Sequence, residues 1–294
     1  MNKITRRVFV SRSFEAGAGL AALGLAVPGA AQRASKMRFG FTSYQWGKDW
    51  DVPTTIANCT KAKAFGVELR TQEKYAAGVE VSLSDEQRRE VKKRFADSPV
   101  ALVGLACSER YDWVEPARLK EAIETTRAHL KLSHDVGGHG LRVFVNDWQK
   151  EVPHEKTIEQ VRGALNTVGK IASEYGQTVR LENHGSAGDL VSIRTIMDGV
   201  TQKNVRIKLN GLPADAADFP RRFQLVKDIL DDTLHFHELD RGNFPYQTQS
   251  DLLIDAGWDG WWLLEASGKV PDTLEATIAQ HKLWDAMVAK SLSH

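Results

Sequence analysis

The sequence predicts an α/β chain folded as a closed (β/α)8 barrel, and three observations carry that expectation. Eight β-type runs alternate with amphipathic segments from residue 37 to the C-terminus, and strand-then-helix repetition is the pattern of a parallel sheet. About 260 residues follow the first 34, close to the usual size of such a barrel. The rival, an open doubly wound sheet, calls for a glycine-rich turn after the first strand, but Phe41-Thr42-Ser43-Tyr44-Gln45-Trp46 stands there.

The first stretch belongs to another category. Thr5-Arg6-Arg7-Val8-Phe9-Val10 is a twin-arginine pattern, the run Ala16 to Val27 is small and apolar, and Gly29-Ala30-Ala31 offers a cleavage site. Basic, apolar and small segments in that order predict an export signal over 1–34 and a mature, periplasmic barrel domain over 35–294. The alternative is a retained basic helix or membrane anchor. The apolar run is short for spanning a bilayer, so no stable membrane insertion is expected.

The strands follow in order as Met37 to Thr42, Gly66 to Arg70, Val100 to Cys107, Gly140 to Val145, Thr178 to Asn183, Val205 to Asn210, Thr233 to Glu238 and Gly260 to Glu265. Helix starts are marked by Ser84 with Gln87 and Asp272 with Glu275, both at capping-box spacing, and by Pro116 at a first turn. Leu119, Ala122, Ile123, Thr126 and Leu130 share one helical face, as do Ile158, Val161, Leu165, Val168 and Ala172. Each such helix has one side to bury.

Lys plus Arg number 39 against 38 for Asp plus Glu. No net field draws in nucleic acid, and the expected partner is a small molecule, with a homo-oligomer left open. Cys59 and Cys107 are the only cysteines, too few for a disulfide framework, and read as small buried hydrophobes.

Barrel sites are built at the C-terminal ends of the strands. Here strand two ends in Val67-Glu68-Leu69-Arg70, strand four runs into Asn146-Asp147-Trp148 and strand five closes on Glu182-Asn183-His184. Strand six carries Lys208 and Asn210, strand seven His235 and His237, and strand eight ends at Glu265. Side chains alternate across a strand, so an inward Glu182 brings Arg180 and His184 with it, Lys208 accompanies Asn210, and His235 accompanies His237. Leu181, Leu209, Phe236 and Leu264 are left for the helix layer.

Glu182-Asn183-His184, the His235-x-His237 strand and the terminal Glu265 resemble the sugar isomerase/epimerase family of xylose-isomerase-like TIM barrels over nearly the whole mature chain. That resemblance implies a divalent metal (Mn, Co, Zn or Mg) held by Glu182, Asn210, His237 and Glu265. Asn210 departs from the family pattern, which places an Asp there. Proton transfer beside a sugar carbonyl needs a polarising cation and placed carboxylates, so Glu182 and Glu265 are the expected acid/base groups. Lys208 is the candidate to supply part of the cation's charge if the metal site is weak. His184, Glu68, Trp46, Trp148, Asn146, His235 and Arg241 are the candidate substrate contacts. Indoles stack on sugar C–H faces, Arg241 suits hydroxyls or a carboxylate, and His235 is equally a core histidine one layer lower. Trp261 and Trp262 are expected to pack against helices.

The function implied is a metal-dependent isomerase or epimerase acting on a non-phosphorylated sugar or keto-sugar. Two alternatives remain, a 3-keto-glycoside lyase using the same base for elimination and a non-catalytic carbohydrate-binding barrel, which Asn210 favours. A metal-dependent DNA-repair endonuclease, on a related barrel, is disfavoured by the absence of basic excess.

Overall fold

A computed structural model of the chain describes residues 34–293; the expected export signal, 1–34, lies outside them but for its last residue. The strands are β1 (Arg38–Thr42), β2 (Gly66–Arg70), β3 (Ala101–Arg110), β4 (Gly140–Val145), β5 (Thr178–Asn183), β6 (Val205–Lys208), β7 (Thr233–Phe236) and β8 (Trp261–Leu264). They form one parallel sheet in the order β6-β5-β4-β3-β2-β1-β8-β7. At the remaining seam the Asp231 N–H donates to Ile207 O and the His235 N–H to Leu209 O, both at 2.7 Å, closing the barrel.

The helices are α1 (Val52–Lys61), α2 (Asp85–Ala96), α3 (Pro116–Asp135), α4 (His154–Glu174), α5 (Leu190–Met197), α6 (Pro213–Ala216), α7 (Phe219–Val226), α8 (Tyr246–Asp255) and α9 (Thr273–Leu292). Ser84 and Gln87 form the reciprocal capping box at α2. Asp272 accepts from the N–H groups of Leu274 and Glu275 at α9, and Pro116 occupies the first turn of α3. Each device satisfies orphan N–H groups or removes one.

Strands six, seven and eight end before the residues expected to close them. Asn210, His237 and Glu265 lie one or two positions past β6, β7 and β8: the Asn210 N–H turns to Asn183 Oδ1 at 2.6 Å and the His237 N–H to the Tyr246 hydroxyl at 2.8 Å, whereas the Glu265 N–H still donates to Phe236 O at 2.8 Å. β3 runs longer than expected, since beyond an irregularity Arg110 pairs with Phe144.

Alternation sorts the side chains as expected. Leu181, Leu209, Phe236 and Leu264 are buried in the main apolar core, while Glu68, Arg142, Glu182, Lys208 and His235 join in one polar network inside the barrel. Trp261 corrects the expectation. It sits in a separate cluster with Val103 and Leu263, and a Cβ on Gly66 would stand 2.5 Å from its ring. Neighbours on a strand face opposite sides, so only Trp262 reaches the helix layer, where it meets Phe236 and Tyr246. Near the bottom, Arg180 pairs with Asp231 at 2.7 Å and Asp232 at 2.9 Å. Cys59 and Cys107 are free and buried; Cys107's thiol is pushed up to about 12 by burial.

Candidate active site

A cavity of about 610 Å³ opens at the C-terminal mouth of the barrel. Glu265, Asn210, His237 and His184 line it, arriving from the ends of β8, β6, β7 and β5. Glu182 lies just beneath, fully buried.

Every oxygen of Glu182 is engaged. Oε1 accepts from His235 Nδ1 at 2.7 Å and from Asn210 Nδ2 at 2.7 Å, and Oε2 accepts from Arg142 Nε. Burial alone would raise this carboxyl, but the Arg142 guanidinium and then His235 outweigh it and hold the group well below the usual carboxylate range. Glu265 is less committed, with Asn210 Nδ2 at 3.3 Å and His235 Nδ1 at 3.5 Å as its neighbours below.

One layer down the network closes on itself. His235 Nε2 donates to Glu68 Oε1 at 2.6 Å, and Lys208 Nζ donates to Glu68 Oε2 at 2.7 Å and Thr233 Oγ1 at 3.2 Å. Both His235 nitrogens face carboxylates, which only the imidazolium satisfies fully. Burial and Lys208 oppose that charge, yet Glu265, Glu182 and Glu68 prevail and raise the pKa. Three cations, Arg142, Lys208 and His235, thus meet three carboxylates, Glu68, Glu182 and Glu265, and the buried charges balance.

At the mouth the histidines are aimed by their second nitrogens. His237 Nδ1 bonds the Glu265 carbonyl at 3.0 Å and His184 Nδ1 bonds Asn146 Oδ1 at 2.9 Å. Donation from Nδ1 leaves each Nε2 as a lone-pair donor.

Several expected site residues stand elsewhere. Glu68 and His235, expected as substrate contacts, and Lys208, expected near the chemistry, have no exposed surface and do not line the cavity; mutual ion pairing holds them below it. Trp46 turns its Nε1 to the Gly268 carbonyl at 2.6 Å and is buried. Trp148 stacks on His154 with centroids 3.9 Å apart. Neither indole walls the cavity. Asn146 acts behind His184, and Arg241 borders a neighbouring hollow.

Sequence reasoning missed Arg142, Arg70, Glu73, Ser108 and Tyr44, all in the cavity wall. The signal for Arg142 was present: a lone cation inside the apolar run Leu141 to Val145, in register with the inward Arg180. Arg70 binds Glu73 at 2.8 Å and contacts Ser108 Oγ at 3.4 Å. Glu73 and Ser108 arrive from a loop and a strand extension, where alternation gives no guide.

A divalent ion can be tested against these residues. Glu182, His235 and Glu265 bring ligand-type atoms within 4.8 Å of one another, but His235 already commits both ring nitrogens to Glu182 and Glu68, whereas His237, the histidine that the resemblance implied, lines the cavity. Asn210 Oδ1 is buried without a hydrogen-bond partner, on the amide whose Nδ2 contacts both Glu182 and Glu265. An orphaned carbonyl oxygen next to anionic oxygens is a donor set that a hard or borderline cation satisfies, so the residues fit one.

No curated protein matches the sequence. Among solved structures the fold is similar to an L-ribulose 3-epimerase, with a TM-score of 0.73 and 16% identity over 87% of this chain and 95% of that one. It is also similar to a 3-keto-D-glucoside 4-epimerase from E. coli (TM-score 0.72, 14% identity, 85% of this chain and 99% of that one). A third likeness is to the D-psicose 3-epimerase of Clostridium cellulolyticum H10, solved with D-tagatose (TM-score 0.66, 17% identity, 87% and 97%). In sequence, residues 56–210 match the xylose isomerase-like TIM barrel family. That match spans more than half of the chain and agrees with its closed parallel barrel, and the chain belongs to this family.

Proposed function

We propose that the chain is a sugar isomerase or epimerase that moves a proton next to the carbonyl of a non-phosphorylated sugar or keto-sugar, with Glu265 as the acid/base group. The observation that carries this reading is the contrast between two neighbouring carboxylates, Glu265 in the cavity wall and Glu182 fixed beneath it. A carboxyl held far below its ordinary range is a poor base. Glu182 therefore serves as a permanent anion that positions cations, and Glu265, reached by fewer and longer contacts, exchanges the proton. The similar epimerases named above support a carbohydrate substrate.

Within this reading Glu182, Asn210, Glu265 and His237 would hold a divalent ion, with His235 beneath them. When bound, such an ion polarises the sugar carbonyl and stabilises charge on its oxygen. Arg142, which contributes a guanidinium to the same wall, reinforces that charge stabilisation. His184 and Tyr44 meet sugar hydroxyls. Arg70 and Arg142 face Glu73 and Glu182, whose negative charges offset the two guanidiniums and favour an uncharged sugar over a phosphorylated one. The twin-arginine reading of 1–34 goes with this proposal and makes the enzyme an exported, periplasmic one.

The test is solvent exchange. Purified protein, with and without Mn, Co, Zn or Mg, is incubated in deuterium oxide with free ketoses, aldoses and 3-keto-glycosides, and the carbon next to the carbonyl is followed by NMR. Deuterium entering one position, abolished by chelation and by Glu265→Gln, is the expected result. No exchange in any sugar under any metal condition sinks the reading in favour of a binding barrel.

A further inference from the structure

The cavity at the barrel mouth continues past the reacting groups. A second hollow of about 570 Å³ lies beside it, and the two share Gly211, Pro213, His237 and Ser267 in their walls. Their chemistry differs. The first carries Arg70, Glu73, Arg142 and Glu265, whereas Phe244, Tyr246, Pro213 and Ala216 give the second an apolar, aromatic wall.

That wall is built rather than incidental. Phe244 is braced by Phe219, with ring centroids 5.1 Å apart, and by Tyr246 at 4.9 Å. Tyr246 is buried, and its hydroxyl accepts the backbone N–H of His237 at 2.8 Å. The residue that stands between the two hollows is therefore tied to the aromatic floor of the second. Arg241, exposed at the rim, lies against Gly268, and among the described residues its guanidinium has no hydrogen-bond or ion-pair partner.

We propose that the second hollow binds the non-reacting half of the substrate, so that the natural substrate is a keto-glycoside, whose reacting ring carries the carbonyl, rather than a free monosaccharide. The sugar ring that loses the proton occupies the first cavity against Glu265. Its glycosidic substituent, a second ring with a flat apolar face, lies on Phe244 and Tyr246 with Arg241 at its polar edge. Size supports the division. Ligand pockets run from about 300 to 1,000 Å³, so either hollow alone is large enough to hold a ring, and a monosaccharide would leave one of them filled with water against aromatic carbon. The inference rests on the proposed reading for which ring reacts, but the second subsite is defined by its own residues.

Titration calorimetry on the full barrel tests it with 4-nitrophenyl α- and β-D-glucosides and a glucose disaccharide, each compared with D-glucose. The expected result is that at least one glycoside binds about tenfold tighter than glucose, and that Phe244→Ala brings this ratio close to one. Phe244→Leu, which keeps the core filled, and Arg241→Ala, at an exposed position, give intermediate losses of the ratio even if Phe244→Ala fails to fold. If no glycoside binds tighter than glucose, absence of binding included, or if the Phe244 variants weaken glucose and glycoside equally, the subsite is overturned. Solvent exchange into a sugar reports separately on the proton-transfer reading, so either idea can fail alone.

Discussion

Two levels of one barrel interior use the same residue types to opposite ends. In the lower level Lys208 and His235 each bond Glu68, at 2.7 and 2.6 Å, and none of the three has exposed surface. At the mouth Glu265, His237 and His184 border open space. A charge whose partners are all protein is a structural element, because removing it strands the others in a low-dielectric interior. A charge with an unfilled coordination position is available for chemistry. Availability, more than residue type, separates the functional level from its support.

The largest expected effect breaks this contrast from below. Lys208→Met leaves Glu68 buried with half its compensation, a loss of about 3–5 kcal/mol and, in a barrel of this size, a melting temperature lower by roughly 10 °C. Thermal denaturation followed by circular dichroism measures it. A variant that melts normally yet cannot turn over would move Lys208 from the support into the chemistry.

From above, Glu265→Gln should leave the melting temperature within a few degrees while turnover falls at least about a hundredfold, the usual scale for a general acid/base group. Glu182→Gln should reduce turnover similarly but also lower stability, since Arg142 and His235 both lose their anion. Comparing the two in the same melting and rate assays tests the division of labour between the carboxylates. If Glu182→Gln retains turnover, its anion is dispensable and the proposed site must be redrawn around Glu265 alone.

A smaller effect sharpens the boundary between the levels. Asn210 touches both Glu182 and Glu265, and Asn210→Asp would convert its orphaned oxygen into an anionic one. Divalent binding should tighten by about tenfold, as added ligand charge generally does for hard ions, with Mn²⁺ titration as the readout. Unchanged affinity would place the ion away from Asn210.

The fold was legible almost to the residue because strand alternation, helix periodicity and capping are local. Ser84 with Gln87 and the runs Gly66 to Arg70, Gly140 to Val145 and Thr178 to Asn183 needed nothing beyond their own neighbours. Which face a residue takes was legible from alternation for most strand positions, though Trp261, expected in the helix layer, faces the interior. Depth was not. Lys208 and Asn210 share a face two residues apart, as do His235 and His237, and sequence spacing says nothing about which member is sealed by Glu68 on β2 and which meets the cavity. Ion pairs between residues 140 and 167 positions apart decide that. Trp46 and Trp148 misled for a related reason: residues just past the strands follow no alternation, and Trp46 is held by the distant Gly268 carbonyl while Trp148 stacks on His154 at the start of α4.

The smallest effect tests how far support extends behind the mouth. Asn146 does not line the cavity, but its Oδ1 receives the His184 Nδ1 proton at 2.9 Å. That bond fixes the tautomer and leaves Nε2 as the acceptor facing a sugar hydroxyl. Asn146→Ala frees the ring to take either tautomer and to rotate, so productive encounters become rarer while the proton-transfer step at Glu265 is untouched. KM should rise about three- to tenfold with kcat within about twofold, the pattern of lost uniform binding, and Asn146→Asp, which keeps the acceptor, should restore KM. If kcat falls instead and KM holds, His184 belongs with the groups that move protons, and the functional level of the barrel is one residue wider than the contrast between Glu265 and its buried neighbours implies.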